Sequence, residues 1–159
     1  MLRFRRVLLA VLPLFLFAHL TVAQATLSDA RDLIKYGNAK YERAEYESAI
    51  DEYRRVLPDA GDLYAQALYN IGVCYYELGR TEEAVTMYRK AIEVRVGRYP
   101  KASYAMGVAL EDLKRLAEAR TAYRQAIAAS EKTYALAYFK LGIMTADEDD
   151  FATAADIFR

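Results

Sequence analysis

Residues Ala67–Ile92 read ALYNIGVCYYELGRTEEAVTMYRKAI. Apolar residues fall at helical spacing twice within this stretch. Leu68, Ile71, Gly72 and Tyr75 share one face of a first helix. Ala84, Val85, Tyr88, Ala91 and Ile92 share one face of a second. Leu78-Gly79-Arg80-Thr81 makes a turn between them, with Gly79 suited to ending one helix and Thr81 to capping the next. Acidic residues follow in the first turn, where the helix dipole favours them. The predicted unit is an antiparallel helix pair.

The pattern recurs. Gly37, Gly72, Gly107 and Gly142 stand 35 residues apart. Ala49, Ala84, Ala119 and Ala154 keep the same step, and so do the aromatics Tyr53, Tyr88, Tyr123 and Phe158. Three columns in phase through four copies identify a tandem repeat of stacked units with one continuous core. The glycine and alanine are expected at the crossing of each helix pair, where small residues let the backbones approach, with the aromatic filling the adjoining space. The units are expected at about residues 30–62, 65–98, 100–132 and 134–159, within a domain spanning 26–159. No heptad crosses the units, so the chain is not a coiled coil. The fourth unit reaches Arg159 before the Ala-Ile pair that earlier copies carry at Ala91-Ile92 and Ala126-Ile127. With no polar terminal cap in view, a piece of a longer protein is expected. A short natural chain with a frayed end is the alternative.

The first 25 residues differ in kind. Arg3, Arg5 and Arg6 precede a nearly all-apolar run, Val7–Leu20, and Ala23-Gln24-Ala25 forms an A-x-A cleavage signature. This is the layout of a secretory signal peptide. The apolar run is shorter than the roughly 20 residues that span a bilayer. An uncleaved membrane anchor is the alternative, and membrane contact is expected only in that case. The expected address is therefore periplasmic or extracellular.

Removing the signal leaves 19 basic against 22 acidic residues, a net charge of −3 with no basic stripe. Such a surface releases few counterions from nucleic acid, and no nucleic-acid partner is expected. The only histidine, His19, leaves with the signal. A Ser-His-Asp or Cys-His catalytic arrangement and an imidazole metal ligand are then excluded. Cys74, the single cysteine, falls in a column with Ala39, Ala109 and Met144 and reads as a packing residue. Asp147-Glu148-Asp149-Asp150 lacks the alternating spacing, glycine and distal glutamate of a calcium loop, and reads as a solvated turn. No cofactor and no metal are expected, and the chain is read as non-catalytic.

Leu68-x2-Ile71-Gly72-x2-Tyr75 followed by Ala84-x3-Tyr88 resembles the tetratricopeptide repeat pattern. The resemblance covers Ala30 to Arg159. It departs in its period, in Leu33, Leu68, Ser103 and Tyr138 at the tryptophan column, and in Lys40 and Thr145 at the first-helix tyrosine. Pentatricopeptide repeats share the period but bind RNA, which an acidic, exported chain argues against. The resemblance implies an all-α solenoid of stacked antiparallel helix pairs, wound as a right-handed superhelix. Its concave face, lined by the first helix of each pair, is implied to hold a partner protein or peptide.

Carried over by repeat phase, that face takes Arg31, Asn38, Tyr41 and Glu42 from the first unit. Gln66, Tyr69, Asn70, Tyr76 and Glu77 come from the second. Lys101, Tyr104, Glu111 and Asp112 come from the third, and Phe139 and Asp147 from the fourth. Asn38, Asn70 and Lys101 match three of five positions with which some relatives grip a terminal carboxylate. Ile34 and Ala105 replace the other two, so a carboxylate clamp is not expected. The implied role is a scaffold of the cell envelope. The alternative is the adaptor portion of a longer protein with an enzymatic or membrane domain beyond Arg159.

Overall fold

The computed structural model describes residues 27–130 and 134–146. The predicted signal, the acidic run with Asp147, and the fourth unit's second helix with Ala154 and Phe158 lie outside the described residues.

Among the described residues the chain is all helical. Helix α1 covers 27–41 and pairs with α2, Tyr46–Arg54. Helix α3, Asp62–Glu77, pairs with α4, Thr81–Val94. Helix α5, Pro100–Asp112, pairs with α6, Leu116–Ala129, and α7, Ala135–Ala146, opens the fourth unit. From α2 onward each helix packs on the next in sequence. This is a solenoid, in which every contact is local to neighbouring units.

One turn joins the helices of each pair. Glu45, Arg80 and Arg115 donate their backbone N–H to the carbonyls of Lys40, Tyr75 and Leu110, at 3.0, 2.8 and 2.8 Å. The residue just before each, Ala44, Gly79 or Lys114, has a left-handed φ of 58°, 71° or 61°. Only the second unit places glycine there, where no Cβ opposes that conformation. The turn brings the chain round so quickly that α4 starts one residue earlier than expected. Arg80, not Thr81, is the N-cap; its side chain makes no cap bond and pairs with Glu83 instead. Helix α2 ends at Arg54 because Pro58 has no N–H to continue it and forces Leu57 into extended backbone (φ −90°, ψ 158°).

The core is built on the three repeat columns. Ala49, Ala84 and Ala119 are completely buried, and so are Tyr53, Tyr88 and Tyr123 to within a few per cent. Each tyrosine ring lies flush on the glycine of its partner helix. A Cβ on Gly72 would stand 2.6 Å from Tyr88, and one on Gly107 2.5 Å from Tyr123. The glycines are therefore needed for the ring as well as for the helix crossing. Cys74 is buried in its packing column, and burial pushes its thiol up to about 12.

A groove between the first helices

Direct backbone packing runs from helix to next helix, while the first helices of neighbouring units are bridged by side chains. The Tyr41 hydroxyl donates to Glu77 Oε1 at 3.4 Å, and the Tyr76 hydroxyl, one unit on, donates to Asp112 Oδ2 at 2.5 Å. Asn70 Nδ2 donates to Asn38 Oδ1 at 3.2 Å. Lys140 pairs with Glu111 at 3.0 Å. Long side chains thus hold α1, α3, α5 and α7 in line and leave space between them.

That space is a groove made of two adjoining cavities. Between α1 and α3 lies one of about 360 Å³, lined by Asn38, Tyr41, Gln66, Asn70 and Val73, with Tyr53 behind. Between α3 and α5 lies one of about 300 Å³, walled by Tyr76, Tyr88, Tyr104 and Tyr134 with Ala105 and Val108. Tyr69 and Lys101 line both and make the groove continuous. A further cavity of about 370 Å³, between α1 and the Arg55–Ala60 connection, lies apart from it.

Tyrosines supply most of the wall. Tyr69 sits 5.7 Å, centroid to centroid, from both Tyr88 and Tyr99. One unit on, Tyr104 repeats the arrangement with Tyr123 at 5.6 Å and Tyr134 at 5.5 Å. These tilted pairs are favourable ring geometries. Lys101 Nζ lies 4.8 Å from the Tyr69 ring centroid, a cation–π contact. No ion pair engages that ammonium among the described residues.

The glycine columns let second-helix tyrosines reach the groove. Tyr53 crosses Gly37 and donates its hydroxyl to Asn38 Oδ1 at 2.7 Å. Tyr123 crosses Gly107 and donates to the Glu111 carboxylate. Tyr88 crosses Gly72 in the same way, but Val73 stands where Asn38 does and Tyr76 where Glu111 does. Tyr88 is 3% exposed and lines the cavity, and its hydroxyl has no hydrogen-bond partner among the described residues. Burial raises its pKa well above the ordinary tyrosine value. Burial also pushes Tyr69 up to about 12. Tyr76 is held at about 12, chiefly by its bond to Asp112. All three are protonated donors at neutral pH.

Of the residues expected on this face, Asn38, Tyr41, Gln66, Tyr69, Asn70, Tyr76, Lys101 and Tyr104 line the groove. Glu77, Glu111 and Asp112 stand at the C-terminal ends of α3 and α5 and are engaged by Tyr41, Tyr123 and Tyr76. Arg31, Glu42 and Phe139 are exposed and line neither cavity. Asp147 lies outside the described residues. The partial carboxylate set is not assembled: Asn38 and Asn70 bond each other, and Ile34 is buried. The sequence reading missed Tyr53 and Tyr88 as groove residues because it assigned that column to packing alone. It also missed Tyr134, although Tyr64, Tyr99 and Tyr134 keep the 35-residue step.

Among the described residues no group of three or more His, Cys, Asp or Glu side chains could hold a metal ion. Among them, too, no helix is long and apolar enough to cross a membrane.

The described residues define a helix-pair solenoid with a tyrosine-lined groove along its first helices. Models of the tetratricopeptide repeat match residues 65–95, 82–133 and 104–159. The chain belongs to the tetratricopeptide repeat family. No curated protein matches its sequence. Among solved structures it is similar to MamA, with a TM-score of 0.70 and 20% identity, over 87% of this chain and 79% of that one. It is also similar to the first TPR of Spaghetti (RPAP3) bound to the HSP90 peptide SRMEEVD: TM-score 0.66, 23% identity, 77% of this chain and 94% of that one. The second TPR of Spaghetti, bound to the same peptide, gives a TM-score of 0.61 and 26% identity, over 70% of this chain and 96% of that one. Repeats of this family generally serve as non-catalytic interaction scaffolds.

Proposed function

We propose that this protein is a non-catalytic scaffold of the cell envelope that holds an extended segment of a partner protein in the groove between α1, α3 and α5. The observation that carries this reading is the continuity of the groove through Tyr69 and Lys101. Its tyrosine walls offer rigid contact area at low entropy cost. The peptide-bound Spaghetti domains support the choice of a peptide-like occupant for a fold of this kind. The absence of histidine after residue 25 supports a non-catalytic role. The envelope address rests on the arginines, apolar run and A-x-A site of the first 25 residues.

Peptides selected on the purified chain by display test the groove. Ala105→Arg, which fills the cavity between α3 and α5, should weaken the selected peptides at least about tenfold. Arg89→Ala, at an exposed position of α4, should leave them unchanged. Peptides indifferent to Ala105→Arg would place the binding face elsewhere. For the address, N-terminal sequencing of chain recovered from an envelope fraction should begin at Thr26.

A further inference from the structure

We infer that the chain has a second docking surface, separate from the groove. The cavity between α1 and the Arg55–Ala60 connection takes the apolar stripe of a partner's helix whose borders carry lysine or arginine. That helix lies on α1 as α2 lies on α3 and as α4 lies on α5.

The repeat phase identifies the seat. Helix α2 packs on α3, and α4 on α5. On these helices Leu68, Ile71, Ser103 and Met106 are all buried. The same phase positions on α1 are Leu33 and Tyr36. Leu33 is only half-buried, and Tyr36 is 58% exposed. Among the described residues no helix precedes α1 to cover them. Both line the cavity of about 370 Å³, with the buried Ala30, Val56 and Ala60 and with Leu57, which is 61% exposed. That is room for one or two large side chains, which a helix laid across it supplies from successive turns.

The rim sets the charge of the occupant. Asp29, Asp32 and Asp59 line the cavity, and none of them has an ion pair among the described residues. Later units hold Tyr64 and Tyr99 in place of Asp29, Ala67 and Ala102 in place of Asp32, and Val94 in place of Asp59. The one cation of the lining, Arg55, is paired with Glu52 at 2.6 Å. The nearby cations of α1, Arg31 and Lys35, do not line the cavity. The seat is therefore apolar inside and negative at its edge. Exposed ion pairs add little affinity, so insertion of the apolar stripe supplies the binding. The carboxylates decide which helix is accepted, favouring cationic borders and opposing acidic ones. An acidic end that served only to keep the solenoid soluble would bind no helix.

The test uses acetylated, amidated, Ala-based helical peptides with Leu at i, i+4 and i+7 and Lys on both borders of the stripe, titrated onto the full chain. Comparison peptides carry Glu for Lys, or Ser for Leu. The Leu-Lys peptide should bind about tenfold tighter than either at low salt, and its advantage over Leu-Glu should narrow as salt is added. Asp29→Asn, Asp32→Asn and Asp59→Asn together should erase the preference for Lys over Glu. Tyr36→Ser with Leu57→Ser should weaken Leu-Lys about tenfold, with the helical spectrum unchanged in both variants. Ala105→Arg should leave this binding unchanged. Loss of Leu-Lys binding in Ala105→Arg would put the peptide in the groove and overturn the inference. Equal binding of Leu-Lys and Leu-Glu, or indifference to the triple or the double variant, also overturns it. If sedimentation of the chain alone shows a dimer that Tyr36→Ser with Leu57→Ser separates, a second copy takes the seat and the inference fails. With the chain's own residues 1–26 in the seat no peptide would bind, and the inference fails as well. None of these failures touches the groove reading.

Discussion

Tyr88 of α4 occupies the space where a side chain on Gly72 of α3 would begin, its Cε1 atom 2.6 Å from that Cβ position. Alanine is the better helix former by about 1 kcal/mol, but here it must displace a fully packed ring, at about 1–3 kcal/mol or more. Gly72→Ala should therefore lower stability by about 1–2 kcal/mol in urea unfolding. In a Tyr88→Val background the ring atoms that meet the Cβ are gone, and the same change should become neutral or stabilising. A double-mutant cycle reads the difference directly. Additive effects would show that the glycine serves some purpose other than admitting the ring.

The three intra-unit turns share one backbone and differ in how well their residues suit it. Lys114 takes a left-handed φ of 61° with a Cβ in place, as Ala44 does at 58°, whereas Gly79 does so at 71° without one. The Cβ cost of that region is roughly 1–2 kcal/mol, partly offset by the lower unfolded-state entropy of the non-glycine residue. Lys114→Gly should raise stability by about 0.5–1 kcal/mol, and Gly79→Ala should lower it by about 1 kcal/mol. Thermal melts of the two variants should shift in opposite directions.

The period carried most of the fold. Gly72, Ala84 and Tyr88 recur in phase, and phase alone predicts helix pairs, turns and stacking. The placement of Asn38, Tyr69 and Lys101 on one face follows from the same register. What phase does not reveal is a side chain that does two things. Tyr88 packs its ring in the core and presents its hydroxyl to the groove, and a column labelled by packing conceals the second role. Nor does phase reveal pairing: Tyr76 and Asp112 look like free groove residues until the spacing between α3 and α5 brings them together. Thr81 failed as a cap because the turn geometry, set by Gly79 one residue earlier than a cap would need, starts the helix at Thr81 itself.

Ser103 stands in the column that holds Leu33 and Leu68, completely buried in α5. Its hydroxyl finds no hydrogen-bond partner among the described residues. A buried hydroxyl without a partner costs about 1–3 kcal/mol of desolvation, which removal recovers. Ser103→Ala keeps nearly the same volume and improves helix propensity. It should stabilise the chain by about 1 kcal/mol and raise the melting temperature by a few degrees. A lower melting temperature would mean that the hydroxyl is satisfied in solution.

The tyrosines set the upper pH limit of the fold. Burial holds Tyr69 at about 12 and the bond to Asp112 holds Tyr76 there, both above the ordinary value near 10. Burial raises Tyr53, Tyr88 and Tyr123 as well. A raised phenol keeps its proton in the folded state while the unfolded chain gives it up. Its contribution is therefore fully present below about pH 10 and is lost as pH rises toward 12 and beyond. Several such groups act together, so the loss should be steep. Melting temperature should fall sharply above about pH 10. Tyrosinate absorbance from these rings should appear together with the loss of helical signal. If these tyrosines ionise while the helices remain intact, their hydroxyls are not held in the core and groove as described.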